Sequence, residues 1–263
     1  MPEGDTVWRA ARLLDRALSG RTLTLTDVRV PAYAAWDLSG GVVAETLSRG
    51  KHLLTRIDAE RGWTLHTHLK MEGGWRVVAP GQRWPRPAHT ARVVLATPEV
   101  VAIGFQLGLV EILAREEESR VVGHLGPDLL GPGWDPAEAV RRLLEQRDRP
   151  VKEALLDQTR LAGIGNMYAN ELCFLVGVDP LTPLDRIPDL HRLVVLAHEL
   201  LEANRRRAVQ STTGDLRRGQ NTWVYGRRGR RCRRCGTPIV ETAIGDAGRA
   251  RVTFHCPQCQ RPG

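Results

Sequence analysis

The pattern of apolar positions divides the chain into an opening helix, a long run of strands and a helical remainder. Val7, Ala10, Leu14 and Leu18 recur at helical spacing and predict an amphipathic helix over residues 5–19. Asp5 or Thr6 is suited to cap its start, and Gly20 to stop it. From residue 21 to about 113 the period changes to two. Leu23, Leu25, Val28 and Val30 begin a largely alternating run. Segments 42–57, 63–78, 91–97 and 99–113 follow, separated by Gly, Pro and charged turns. Many short strands with no helices between them predict an antiparallel sandwich or barrel. The stretch from Pro80 to Pro87 reads as an exposed loop.

Residues 114–134 are charged and then Gly/Pro-rich, and read as a junction between domains. Beyond it the helical period returns. Asp135-Pro136-Ala137-Glu138 offers a cap, a proline for the first helical position and a Glu to close a capping box. A second helix is expected over about 150–158. Leu161-Ala162-Gly163-Ile164-Gly165 is a tight glycine turn, after which Asn166 opens a third helix to about 176. A longer one runs from Pro188 to about Arg205. The tail from about 219 is rich in Arg, Gly and Cys. The fold class is α+β and multidomain.

Composition narrows the class of partner. The chain has 263 residues with a formal net charge of +8, and no apolar run is long enough to span a bilayer. Such a surplus points to an acidic polymer, nucleic acid before membrane. Glu3 and Asp5 with no apolar core behind them argue against a secretion signal, so a cytoplasmic protein is expected. In that compartment the pairs Cys232/Cys235 and Cys256/Cys259, with 20 residues between them, read as one structural zinc rather than disulfides. Four thiolates close a tetrahedral site and leave no open position. Cys173 stands apart in an apolar stretch and reads as buried. The arginines from Arg227 to Arg234, with Arg249 and Arg251 in the intervening hairpin, are candidates for phosphate binding.

Several shorter stretches carry candidate chemistry. Trimming Met1 would leave Pro2 as a secondary amine, and a terminal amino group is partly unprotonated near neutral pH. Such an amine is a nucleophile towards a sugar or carbonyl carbon, and the Glu3 carboxylate beside it can move protons. Both precede a helix start, where the dipole favours an anion. Gly163-Ile164-Gly165-Asn166 is an ordinary glycine turn taken alone. Its backbone N–H groups and the Asn166 amide also suit a phosphate. Lys51 lies ahead of an apolar strand. Met71, among polar residues and glycines in His68-Leu69-Lys70-Met71-Glu72-Gly73-Gly74, suits a loop tip that can wedge into a base stack. The histidines show no metal spacing and read as polar surface or phosphate contacts.

In this order the motifs resemble the formamidopyrimidine-DNA glycosylase / endonuclease VIII family of base-excision repair enzymes. The resemblance covers nearly the whole chain. It is carried by Pro2-Glu3-Gly4, Gly50-Lys51, His68-Leu69-Lys70-Met71 and Gly126-Pro127-Asp128. Further on it rests on Leu161 to Asn166 with Tyr168 and Glu171, Val224-Tyr225-Gly226-Arg227, and the run from Arg251 to Gln260 that holds the second cysteine pair. The resemblance implies an N-terminal catalytic β-sandwich domain over 1–115, a linker over 116–134, a helix–two-turn–helix DNA-binding domain over 135–218 and a zinc-finger β-hairpin over 219–263. It implies a monomer that acts on duplex DNA containing damaged bases or abasic sites, flips the damaged base out and cuts the strand by elimination. Pro2 would then be the nucleophile and Glu3 the proton donor. Lys51 would be a phosphate contact and acid, while Arg251 and Asn166 would grip phosphates. Arg249 and His124 are further candidate DNA contacts. His124 stands where several relatives place an arginine.

Guanine-directed members place an Arg and an aromatic residue on a second loop to fill the gap in the duplex. Ala102 to Val110 lacks that pattern. The filling therefore falls to Lys70, Met71 and Glu72, as in the endonuclease VIII branch, which prefers oxidised pyrimidines. The alternatives are the same chemistry on oxidised or ring-opened guanine, or a non-catalytic zinc-ribbon nucleic-acid binder.

Overall fold

A computed structural model describes residues 2–245 and 250–261. The chain divides between His124 and Leu125 into two units. The first begins with helix α1 (Gly4–Leu18) and continues through eight strands. These are β1 (Leu25–Val28), β2 (Val42–Arg49), β3 (His52–Asp58), β4 (Gly62–His68), β5 (Gly74–Val78), β6 (Ala91–Ala96), β7 (Val101–Phe105) and β8 (Leu109–Ala114). They form two four-stranded antiparallel sheets, ordered β1-β6-β7-β5 and β2-β3-β4-β8. The expected sandwich is present.

Alternation explains what fills it. Leu53, Ile57 and Leu65 point inward from one sheet, Val93, Leu95, Ala102 and Trp75 from the other, and Val7, Leu14 and Leu18 join them from α1. A second, smaller cluster of Ala91, Val94, Ile103 and Phe105 is covered by Trp84 from the Pro80–Pro87 loop. Three expected strand segments are each two strands joined by a tight connection. The first connection is the two-residue turn Gly50-Lys51, whose flanking residues Arg49 and His52 pair directly. Gly50 supplies the left-handed φ of 57° that such a turn requires. After β8 the chain folds back over its own sheet through the short helix α2 (Ser119–Val122) and the turn before it. Glu118 latches this segment by accepting from Arg56 Nε and Nη2 at 2.8 and 2.6 Å and from Thr64 Oγ1 at 2.6 Å.

The caps of α1 differ from expectation. Asp5 lies buried inside the first turn rather than at the cap, and the cap position is Glu3, whose side chain makes no capping bond. Glu3 caps with its backbone alone, its carbonyl accepting from the Val7 N–H at 3.0 Å.

The second unit holds α3 (Pro136–Leu144), α4 (Val151–Leu156), α5 (Asn166–Leu175) and α6 (Leu190–Asn204), followed by the hairpin β9 (Val240–Ile244) and β10 (Arg251–His255). Asp135 caps α3 by accepting from Ala137 N. Glu138 does not close the box; its carboxylate is taken by Arg141 and Arg142. The helices pack around Leu143, Leu155, Tyr168, Leu172, Leu193 and Leu201, all fully buried. Cys173 is buried in the same core, where the loss of water pushes its thiol up to about 12.

Leu65→Ala would open a cavity between the sheets and is expected to cost about 2–5 kcal/mol in urea unfolding. Leu25→Ala, at an exposed position, is expected to change stability by less than about 0.5 kcal/mol in the same assay.

Candidate functional site

The candidate groups of the first unit gather on α1 and at one end of the β2-β3-β4-β8 sheet. α1 packs against β2, β3 and β5. That packing carries Glu3 into the interior, where it is 0% exposed. A carboxylate loses water at such a position only with compensating partners, which marks it as more than a polar start to the chain. Lys51 sits at the tip of the β2–β3 hairpin, placed there by the register on either side.

The next connection, between β4 and β5, carries Lys70, Met71 and Glu72. Lys70 takes a left-handed φ of 52°, and its N–H donates to His68 Nδ1 at 2.9 Å. The Gly73 N–H closes the loop on Leu69 O at 3.0 Å. A Cβ at Gly73 would run into the carbonyls of Leu69 and Gln106, so only glycine fits there. The three residues are not equivalent. Met71 is 65% exposed at the tip. Glu72 is drawn back by Gln106 Nε2 at 3.3 Å, and its carbonyl accepts from Arg86 at 3.1 Å. Met71 is thus the one apolar side chain offered outward by this loop.

Behind Lys51 lies a group of histidines, of which His66 is buried rather than at the expected polar surface. His66 is buried, with His52 on one ring nitrogen at 2.8 Å and Glu111 on the other at 3.0 Å. His68 and His124 meet the His52 ring edge-on, and His124 itself is exposed. Burial, then mutual repulsion with His66, His68, His124 and Lys70, lowers His52 to about 3. Burial, then Lys70 and Lys51, lowers His68 to about 4, and burial lowers His66 against the pull of Glu111. His52 and His66 were legible only from strand register: His52 pairs with His68, and His66 with Glu111.

In the second unit, a set of side chains fixes the backbone of β10. Asn166 Nδ2 and Lys152 Nζ both donate to Val252 O at 2.9 Å, and Asn170 Oδ1 accepts from Phe254 N at 2.6 Å. Lys152 also donates to the Thr253 hydroxyl. Sequence reasoning missed Lys152, which is buried, and burial lowers its ammonium to about 8. Arg251, exposed and adjacent to the held residue, lines a cleft with Arg149, Lys152 and Asp157. The Asn166 amide is therefore shared with Val252, and its role includes holding the strand that presents Arg251. Arg249 lies outside the described residues.

Glu171 organises the segment before the cysteines. Its carboxylate, fully buried, accepts from the N–H groups of Trp223, Val224 and Tyr225 at 2.7 to 2.8 Å, and from the Thr212 hydroxyl. Burial raises its pKa against the donors that hold it down. The sulfurs of Cys232, Cys235, Cys256 and Cys259 lie within 4.8 Å of one another. The pairs Cys232–Cys259 and Cys235–Cys256 are 3.9 and 3.4 Å apart. A disulfide would need roughly 2.05 Å. A tetrahedron with bonds of roughly 2.3 Å has edges of roughly 3.8 Å, so the sulfurs fit a four-coordinate metal. Among the described residues this is the one His/Cys/Asp/Glu group arranged to hold an ion.

This geometry agrees with what the chain is similar to. Residues 1–106 match the formamidopyrimidine-DNA glycosylase N-terminal domain and residues 125–215 match the formamidopyrimidine-DNA glycosylase H2TH domain. The chain belongs to the formamidopyrimidine-DNA glycosylase family. It is 54% identical to the probable endonuclease 8 2 of Streptomyces coelicolor over 271 residues, covering 100% of this chain and 97% of that one. It is 50% identical to the DNA-(apurinic or apyrimidinic site) lyase Nei2 of Mycolicibacterium smegmatis, covering 99% of each. The fold matches that of the Lactococcus lactis Fpg in complex with abasic-site DNA with a TM-score of 0.80, at 24% identity, over 99% of this chain and 100% of that one.

The lowered histidines imply acid sensitivity. The unfolded chain binds protons at these rings below about pH 6.5, whereas the folded protein resists until about 4 or 3. Stability should therefore fall as pH drops from about 6.5 towards 4. His52→Gln should flatten that slope in melting curves taken across the interval, and an unchanged slope would contradict the assignment. Chelation should raise amide exchange through β9 and β10 while leaving β3 and β4 protected, read by exchange mass spectrometry.

Proposed function

We propose that this chain is a bifunctional DNA glycosylase and AP lyase that removes oxidised bases, chiefly pyrimidines, from duplex DNA. The observation that carries the reading is full-length kinship with endonuclease 8 and an AP lyase, joined to a buried Glu3 directly behind Pro2. A flat binding surface has no use for a carboxylate buried at that position.

In this reading the base is first turned out of the stack. Met71 enters the space it leaves, while Lys70 and Glu72 shape the loop. The unprotonated Pro2 nitrogen attacks the anomeric carbon of the sugar. Glu3 delivers a proton to the ring oxygen as the ring opens, and the base leaves with the electrons of its glycosidic bond. The Pro2 N–H proton is lost, and the resulting cationic iminium withdraws electrons from the neighbouring carbon, so a proton there is lost and the 3′ phosphate departs. Lys51 holds a phosphate and supplies a proton in these steps. Arg251, on the strand tied down by Asn166 and Lys152, grips a phosphate beside the lesion. Asn166 contributes to the same grip, and His124 stands edge-on to His52, the residue after Lys51. The four cysteines hold one zinc whose coordination they complete, which gives it a structural task.

Pyrimidine preference rests on the β7–β8 connection. Only Gln106, Leu107 and Gly108 separate these strands, and Gln106 is engaged by Glu72 and Arg86. No arginine or aromatic side chain is offered there to fill the duplex, which suits the endonuclease VIII mode.

A panel of duplexes, each with one lesion, tests the assignment. Oxidised pyrimidines should be released faster than oxidised guanine by at least about tenfold, a difference of ~1.4 kcal/mol in barrier. The reverse order would move this chain to the guanine-directed reading. Glu3→Gln should slow base release by about 10²- to 10⁴-fold.

A further inference from the structure

One row of titratable side chains is not used by this chemistry. It crosses three strands, from Glu111 on β8 through His66 on β4 to His52 on β3, next to Lys51. The rings of His52 and His66 stack at 5.1 Å with 21° between their planes. The two hydrogen bonds of the row, at 2.8 and 3.0 Å, fix where its protons sit. An ionised carboxylate only accepts, so His66 Nδ1 carries a proton and donates to Glu111. The other nitrogen of neutral His66 then accepts, so His52 Nδ1 is the donor between the rings. That leaves the outer nitrogen of His52, Nε2, as an acceptor. His68 is in the opposite tautomer, because its Nδ1 already accepts from the Lys70 N–H.

The charged groups around the row decide how it can take up a proton. His52 faces His66 and His68 on β4, Lys70 on the following loop and His124 after α2. His66 faces Glu111 and Glu118. An imidazolium at His52 would be a further positive charge in a half-buried, already basic place. A proton passed one ring inward avoids this, because the resulting His66 imidazolium lies 3.0 Å from the Glu111 carboxylate.

We propose that the row is a proton relay that converts His52 from acceptor to donor when a nucleic-acid phosphodiester docks beside Lys51. A solvent proton binds His52 Nε2 and the His52 Nδ1 proton passes to His66 Nε2, while the His66 Nδ1 proton stays donated to Glu111 Oε2. His52 ends neutral with its tautomer exchanged, and His66 ends as an imidazolium paired with the Glu111 carboxylate. His52 then presents an N–H to a phosphate oxygen. The same step offsets the Glu111 charge that would repel the backbone. The relay rests on the reading of this chain as a DNA-binding enzyme, and its test separates the two.

The probe is a duplex with a tetrahydrofuran abasic analogue, which cannot react through an imine. Calorimetry of wild-type protein in two buffers of different ionisation enthalpy should show uptake of about one proton per duplex near neutral pH. Long-range proton–nitrogen NMR should show His52 protonated at Nδ1 when free and at Nε2 when bound, with His66 gaining a second proton at Nε2. E111Q preserves an acceptor for His66 but carries no charge to balance its imidazolium. It should lose the uptake and flatten the pH dependence of affinity between about pH 6 and 8, where histidines titrate. Binding without proton uptake, unchanged tautomers in the wild type, or full uptake in E111Q would each overturn the relay while leaving the enzyme reading intact. Failure of wild-type protein to bind the duplex would overturn both.

Discussion

Strand register in the β2-β3-β4-β8 sheet is the constraint on which the first unit depends. The two-residue turn at Gly50-Lys51 brings Arg49 opposite His52, and every pairing down β3 and β4 follows from it. Side chains alternate faces with period two, so a slip of one residue would exchange the two faces of each strand. In the observed register Leu53, Ile57 and Leu65 fill the core beneath α1. Their neighbours His52, His66, Arg56 and Thr64 form the polar face on which Glu111 and Glu118 close. Lys51 is at the tip because the turn can hold only two residues. The helix that seals this core also carries Glu3 to its buried position, so burial energy and the placement of Glu3 arise from the same packing.

The second unit solves a different problem. A hairpin of two short, largely exposed strands has too little apolar surface to hold itself in place. Three polar side chains, Lys152, Asn166 and Asn170, grip its backbone, and the sulfur tetrad closes its base. Burying Lys152 and Glu171 is unfavourable unless their hydrogen bonds are met, and each is met by backbone that it thereby holds rigid. The interior of this unit thus converts buried polar groups into a fixed position for Arg251.

Much of this was legible in the sequence, and what was not has physical causes. The sandwich, the helices and the cysteine cluster follow from period and local spacing. The hairpin boundaries did not show because a two-residue turn leaves the alternation of apolar positions uninterrupted, so 42–57 reads as one strand. Glu3 could be singled out by its place, but its burial depends on how α1 docks. The histidine row and the Lys152 grip join residues that are distant in sequence or adjacent only across strands, and nothing in single-chain patterning marks them. The Asn166 amide was read as a phosphate ligand from its place at a helix start. Its bond to Val252 appears only once β10 is folded against α5.

The claim beneath all of this is that the Pro2 nitrogen becomes covalently joined to the damaged sugar. Borohydride reduction during turnover, followed by peptide mass mapping of the trapped protein–DNA adduct, tests it most directly. The adduct should map to the Pro2 nitrogen of a chain that has lost Met1. An adduct on Lys51 or another lysine, or base-releasing enzyme that yields no adduct at all, would contradict it.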